Sequence, residues 1–138
     1  IEAFDFGYNH GIFAPDEVIR LFPRLEVKWE HKVHERPVCK LPKQKLSGIL
    51  MHYTYDSWQQ WLDKAGQYTS IWAEDNFSKG KRVGKSAAFT HGIYGFIRAY
   101  FLQLGFLDGW AGLYSSLQHF FYTLLKYWKL YELQQKNK

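Results

Sequence analysis

Polar chemistry in this chain concentrates between Ile19 and Glu35, and within that stretch His34-Glu35 places an imidazole directly before a carboxylate. From Glu26 to Val33 the residues alternate strictly. Val27, Trp29, His31 and Val33 fall on one side and Glu26, Lys28, Glu30 and Lys32 on the other, the period-two pattern of a half-buried strand. The pattern predicts that His34 and Glu35 stand at the end of a strand, just before the loop that opens at Arg36-Pro37. Titratable groups in such a place can face a cleft while a sheet holds their backbone still, and the same placement also describes a plain solvated strand end. His52, near the end of the short apolar run Leu46 to Tyr55, is a second strand-end histidine with the same two readings.

The elements that must position these groups follow from the pattern on either side. Ile1 to Ala14 reads as loop, with Asn9-His10-Gly11 as a likely turn and Pro15-Asp16 as another. Glu17 to Phe22 is prone to β structure and Pro23 breaks it, so a hairpin with the strand from Glu26 is expected. Arg36 to Lys45 reads as a basic connection punctuated by proline, and Leu46 to Tyr55 as a further strand. At Asp56-Ser57 the periodicity changes. Ser57 with Gln60 makes a capping box, and Trp58, Trp61, Leu62, Ala65, Tyr68 and Trp72 recur at helical spacing to about Phe77. The cluster Lys79, Lys81, Arg82 and Lys85 around Gly80 marks the exit. A second helix is expected from Thr90 to Leu104, with Ile93, Phe96, Ile97, Tyr100, Phe101 and Leu104 as its apolar side and Gly105 as its stop. Asp108 is then the cap of a third helix carrying Leu113, Leu117, Phe121, Leu124 and Trp128.

With 138 residues the chain suffices for one domain with a real core, divided here into a strand-rich part, 1–56, and a helical part, 57–138. Aromatic residues make up 20%, and the net charge of +5 favours an anionic partner. A nucleic-acid partner is not expected, because charge and aromatics occur without any recognisable binding module. One cysteine, Cys39, excludes an internal disulfide. No basic segment followed by an apolar run opens the sequence, so no secretory signal is expected, and the start at Ile1 suggests a larger parent. Gly109 to Leu125 carries no formal charge except through His119, yet it falls short of the roughly 20 apolar residues that span a bilayer. Two arrangements are open to the stripe of Phe101, Leu117, Phe121 and Trp128: a core packed on the sheet, or a face lying in a membrane interface.

Several motifs occur together in order. They are Arg20-Leu21-Phe22-Pro23-Arg24, Val33-His34-Glu35, His52-Tyr53-Thr54-Tyr55, Lys64 with Tyr68-Thr69, Gly105-Phe106-Leu107-Asp108-Gly109 with Gly112-Leu113, and Lys126-Tyr127-Trp128-Lys129-Leu130 with Glu132. The set resembles the C-terminal half of family 2 glycosyltransferases of the lipopolysaccharide-core β-glucosyltransferase type. Pro23 departs from the basic residue usual after Arg-Leu-Phe. No acidic Asp-x-Asp motif of the nucleotide-binding half is present.

The resemblance implies an α/β fold, the acceptor-side half of a GT-A-like enzyme, with a few strands of a mixed sheet followed by three amphipathic helices. It implies an inverting transfer of a hexose from a nucleotide sugar, held by the absent half, to a lipid-linked glycan such as lipopolysaccharide. The enzyme would work at the cytoplasmic face of a bacterial inner membrane, attached peripherally to its anionic surface. Glu35 would be the general base, and His52 would complete a site for a divalent metal, Mg or Mn, in the intact enzyme. Arg20 and Arg24 would bind phosphate, and Asp16, His34 and the Asn9-His10 turn would line the acceptor's approach. This chain alone is expected to be inactive and to hold neither metal nor donor tightly. The rival expectation is a membrane-associated or protein-binding helical module without a reaction site.

Overall fold

The computed structural model describes residues 2–3, 6–7, 9–13, 19, 21–23, 25–30, 36–46 and 55–137. Two short antiparallel ladders come first: β1 (Glu2–Ala3) with β2 (Phe6–Gly7), and β3 (Lys28–Glu30) with β4 (Arg36–Val38). The first lies in a stretch expected to be loop. In the second, Trp29 pairs with Pro37 and Glu30 with Arg36, so a partner of the alternating strand is the stretch expected to be a connection; Glu17, Val18 and Arg20 of the expected hairpin partner lie outside the described residues. Nor does alternation yield a buried face among the described residues of this stretch. Lys28, Trp29 and Glu30 are all exposed, and Trp29 meets only the edge of Phe22 at 5.9 Å among the described ring contacts. Period-two patterning buries one side of a strand only where another layer covers it.

Most of the remaining described residues are helical: two separate ladders stand beside three helices, and most of the strand expected at Leu46 to Tyr55 lies outside the described residues. Helix α1 (Trp58–Ser78) starts as its sequence predicts: the Gln60 amide donates to Ser57 Oγ at 3.2 Å, and Gln60 Oε1 accepts the Asp56 amide at 2.9 Å. It ends in a Schellman motif. The Gly80 amide donates to the Phe77 carbonyl and the Lys81 amide to the Asn76 carbonyl, with Gly80 at φ +81° supplying the left-handed turn.

Helix α2 (Ala87–Ile97) begins three residues before the expected Thr90 and runs into a π-helical turn, Arg98–Leu102. Its buried side is also the reverse of the expected one. Ala88, Gly92, Gly95 and Ala99 are buried, whereas Ile93, Ile97, Phe101 and Leu104 are exposed. The reason is distance of approach. A Cβ on Gly92 would lie 3.1 Å from the Phe120 ring and one on Gly95 3.1 Å from the His119 ring, so only small residues fit against the third helix, and the large ones point away.

Helix α3 (Gly109–Lys136) is about 42 Å long at 1.5 Å per residue and is the spine on which both α1 and α2 pack. Its buried positions, Ala111, Gly112, Ser115, Ser116, Gln118, Thr123, Leu130 and Gln134, are again mostly small or polar. The stripe expected to be core or membrane face stays open: Phe101, Leu117, Phe121 and Trp128 are 54, 42, 53 and 46% exposed. Within α3, burial and the nearby Lys126 and Arg98 hold His119 below its ordinary 6.5, which leaves the imidazole neutral at neutral pH. No helix among the described residues is long and apolar enough to cross a membrane.

Candidate functional site

Asp16, Arg20, Arg24, His34, Glu35 and His52, the residues to which the sequence assigns acceptor, phosphate, base and metal roles, lie outside the described residues. Of the residues next to them in sequence, Glu30 pairs with Arg36 across the β3–β4 ladder. Among the described residues no group of three His, Cys, Asp or Glu side chains lies together as metal ligands do.

A polar centre that the sequence reading placed only in part is built around Asp108. Its carboxylate was expected to cap α3, but it makes no capping hydrogen bond there. Instead Oδ2 accepts the backbone amides of Asn9 at 3.0 Å and His10 at 2.8 Å, and Oδ1 lies 2.7 Å from His10 Nδ1. The Gly11 amide adds a bond to the Gln103 carbonyl at 2.9 Å, with Gly11 at φ +73°. The N-terminal turn is thus clamped onto the bend between α2 and α3. That bend carries its left-handed residue at Leu104, φ +58°, and not at the glycine beside it. Gly105 is required for a different reason: a Cβ there would stand 2.7 Å from the Ala99 carbonyl oxygen.

The clamp has a chemical and an energetic consequence. Donation from Nδ1–H to the carboxylate orients the His10 ring and leaves Nε2 as the ring nitrogen open to another partner. For Asp108, burial alone pushes the carboxyl upward, but the bonds from the His10 side chain and the two amides outweigh it, and the group titrates below its ordinary 3.8. A depressed carboxyl stabilises the folded state above its unfolded value, and the contribution is lost as pH falls through the folded one. The Asn9 and His10 amides should therefore be protected from hydrogen exchange at neutral pH and lose that protection below the ordinary carboxylate range. In Asp108→Asn the protection should be weakened at every pH, by roughly 2 kcal/mol. Equal protection in the wild type and the variant would contradict the clamp.

Two lysines of the motif Lys126-Tyr127-Trp128-Lys129 serve different ends. Lys129 Nζ is an internal strut. It donates to the Gly66 carbonyl at 2.7 Å, Thr69 Oγ1 at 2.9 Å and Ser70 Oγ at 2.9 Å, joining α3 to the middle of α1. Its three donors are thereby matched, and burial lowers its pKa against the opposing pull of Glu132. Lys129 is therefore committed to α1 and is not one of the surface charges its position in the sequence suggested. Lys126 instead lies among aromatic rings, 4.9 Å from the centre of Trp72 and 5.8 Å from those of Tyr122 and Tyr127. Lys81, from the loop after α1, faces the same Trp72 at 4.9 Å and Tyr127 at 5.2 Å. His91 of α2 stacks on Tyr127 with ring centres 4.1 Å apart. Spacing along the sequence gave no sign of this junction, since its members come from α1, the loop, α2 and α3.

Among known proteins, an uncharacterized glycosyltransferase of Rickettsia typhi is 33% identical over 93 residues, which covers 67% of this chain and 32% of that protein. One of Rickettsia prowazekii is 33% identical over 92 residues, again 67% of this chain and 32% of the relative. One of Rickettsia felis is 32% identical over 93 residues, 67% of this chain and 33% of the relative. No protein family model matches the chain, and no solved structure matches it. The chain is therefore similar to glycosyltransferases over most of its own length while spanning about a third of theirs.

Proposed function

We propose that this chain is the acceptor-side part of an inverting glycosyltransferase of family 2, related to the lipopolysaccharide-core β-glucosyltransferases and of GT-A-like fold. The similarity to glycosyltransferases over 93 residues carries the reading. In it, the Glu35 carboxylate takes the proton of an acceptor hydroxyl as that oxygen attacks the anomeric carbon of a nucleotide sugar. The bond to the nucleoside diphosphate breaks on the opposite face, and the configuration inverts. Asp16, Arg20, Arg24 and His34 bind and orient the acceptor or its phosphates, and His10, clamped by Asp108, lines the acceptor's approach. Nucleotide and most ligands for a divalent metal, Mg or Mn, reside in the other part of the enzyme, with His52 as this chain's contribution.

The acceptor in this reading is lipopolysaccharide or another lipid-linked bacterial surface glycan, met at the cytoplasmic face of the inner membrane. Support comes from the outer side of α2, where Phe89, Ile93, Tyr94, Ile97 and Phe101 are exposed together, and from Trp110, 82% exposed at the start of α3. Exposed aromatic and aliphatic side chains flanked by Arg82, Lys85 and Arg98 suit peripheral attachment to anionic lipid. The test uses the full-length enzyme with a nucleotide sugar and lipid-linked core glycan presented in vesicles. Transfer of a hexose with inverted configuration is expected, together with co-sedimentation on anionic vesicles that weakens at high salt. A protein that binds such vesicles yet transfers no sugar from any common donor is instead a helical membrane-binding module, and the transferase reading then fails.

A further inference from the structure

We propose that Lys81 and Lys126, with Trp72, Tyr122 and Tyr127 around them, form a binding site for a phosphoryl group, either a phosphate ester or a diphosphate. The site lies in the helical part of the chain, apart from the residues given roles in sugar transfer, and stands independently of that reading.

The first observation is convergence without compensation. Two ammonium groups from distant parts of the sequence face the same two rings, each 4.9 Å from the centre of Trp72, and no ion pair between either lysine and a carboxylate occurs among the described residues. Elsewhere in the chain exposed lysines do find acids: Lys79 meets Asp75 at 2.6 Å and Lys136 meets Glu132 at 2.7 Å. Like charges brought together in a partly desolvated place repel, and here the ammonium heads are held over aromatic faces, which attract cations.

The second observation is electrostatic. Lys126 is depressed below its ordinary 10.5, first by burial and then by Lys81, and His119 is depressed by burial, by Lys126 and by Arg98. Two ammonium groups thus stand together over Trp72 where α1, its following loop and α3 meet. An anion placed between the two ammonium groups reverses both costs, because opposite charge favours the protonated form that burial disfavours.

The chemistry of the donors selects the ligand class. Each ammonium offers three donors and no acceptor, and a tetrahedral phosphoryl group presents several oxygens and up to two charges, enough to engage both at once. The rings supply a wall suited to an organic remainder. Two sources share this chemistry, a lipid headgroup and a soluble phosphate ester, and they are separable by experiment.

Calorimetric titration of the chain with inorganic pyrophosphate, and sedimentation with phosphatidylcholine vesicles with and without phosphatidate, form the two arms. Binding is expected in at least one arm. In Lys81→Gln/Lys126→Gln it should weaken about tenfold or more, whereas Lys81→Arg/Lys126→Arg and the distant Lys43→Gln should bind like the wild type. Lys81 lies in an exposed loop, so Lys81→Gln alone gives the same direction of change should the double variant lose helicity by circular dichroism. Pyrophosphate binding lost in the variants identifies a soluble ester, and phosphatidate-dependent sedimentation lost in them identifies a headgroup. Absence of binding in both arms, or binding that the glutamine variants leave unchanged, overturns the site.

Discussion

Gly112→Ala is expected to destabilise the fold by about 3 kcal/mol or more and to lower its melting temperature by roughly 10 °C. Gly112 sits in the first turn of α3, and a Cβ built on it would collide with the backbone carbonyl of Gly105. A flexible side chain could swing clear of an added methyl, but a carbonyl held in a turn cannot. Gly105 is itself packed so closely that a Cβ on it would stand 2.7 Å from the Ala99 carbonyl oxygen and 3.3 Å from the Tyr100 Cα. Relief requires the start of α3 to move off the bend, and Asp108, which clamps the Asn9-His10 turn, would move with it. The control is Gly66→Ala. Nothing lies within 4 Å of a Cβ at Gly66, in the middle of α1, so that change should raise stability by up to about 1 kcal/mol through helix propensity. Thermal melts of both variants decide the matter: a Gly112→Ala protein melting like the wild type would mean that the two segments do not approach so closely.

In the intact enzyme, Glu35→Gln should lower turnover by about 10²- to 10⁴-fold, the usual contribution of a general base. Glutamine keeps the size and the hydrogen-bonding oxygen of the carboxylate but cannot take the acceptor's proton. Folding and donor binding should be nearly unchanged, since the donor belongs to another part of the enzyme in this reading. Steady-state kinetics with separate variation of donor and acceptor checks it. Wild-type turnover in Glu35→Gln would remove this residue from the mechanism.

What the sequence determined by itself is local. Ser57 and Gln60 announce the start of α1 and Gly80 its end, because capping and left-handed C-terminal turns involve residues only a few positions apart. Three helices in the second part were likewise legible from periodicity, and the resemblance to glycosyltransferases matches the similarity found over 93 residues. Which face of each helix turns inward was not legible. Hydrophobicity pointed to Ile93, Phe101, Leu117 and Phe121, but the tertiary structure buries Ala88, Gly92, Gly95, Ser115 and Ser116. Size of side chain, not polarity, limits how near two helix axes can come, and that limit exists only once the partner helix is in place. The same holds for charge. Lys126 and Lys129 look alike in the sequence and share a face of α3, yet Lys129 is bonded to Gly66 of α1 and Lys126 stands beside Lys81 over Trp72, because three residues advance α3 by about 4.5 Å and set each lysine against a different turn of α1. Asp108 looked like a cap for its own helix and is instead bonded to residues nearly 100 positions earlier, a contact that only the folding of the chain back on itself creates.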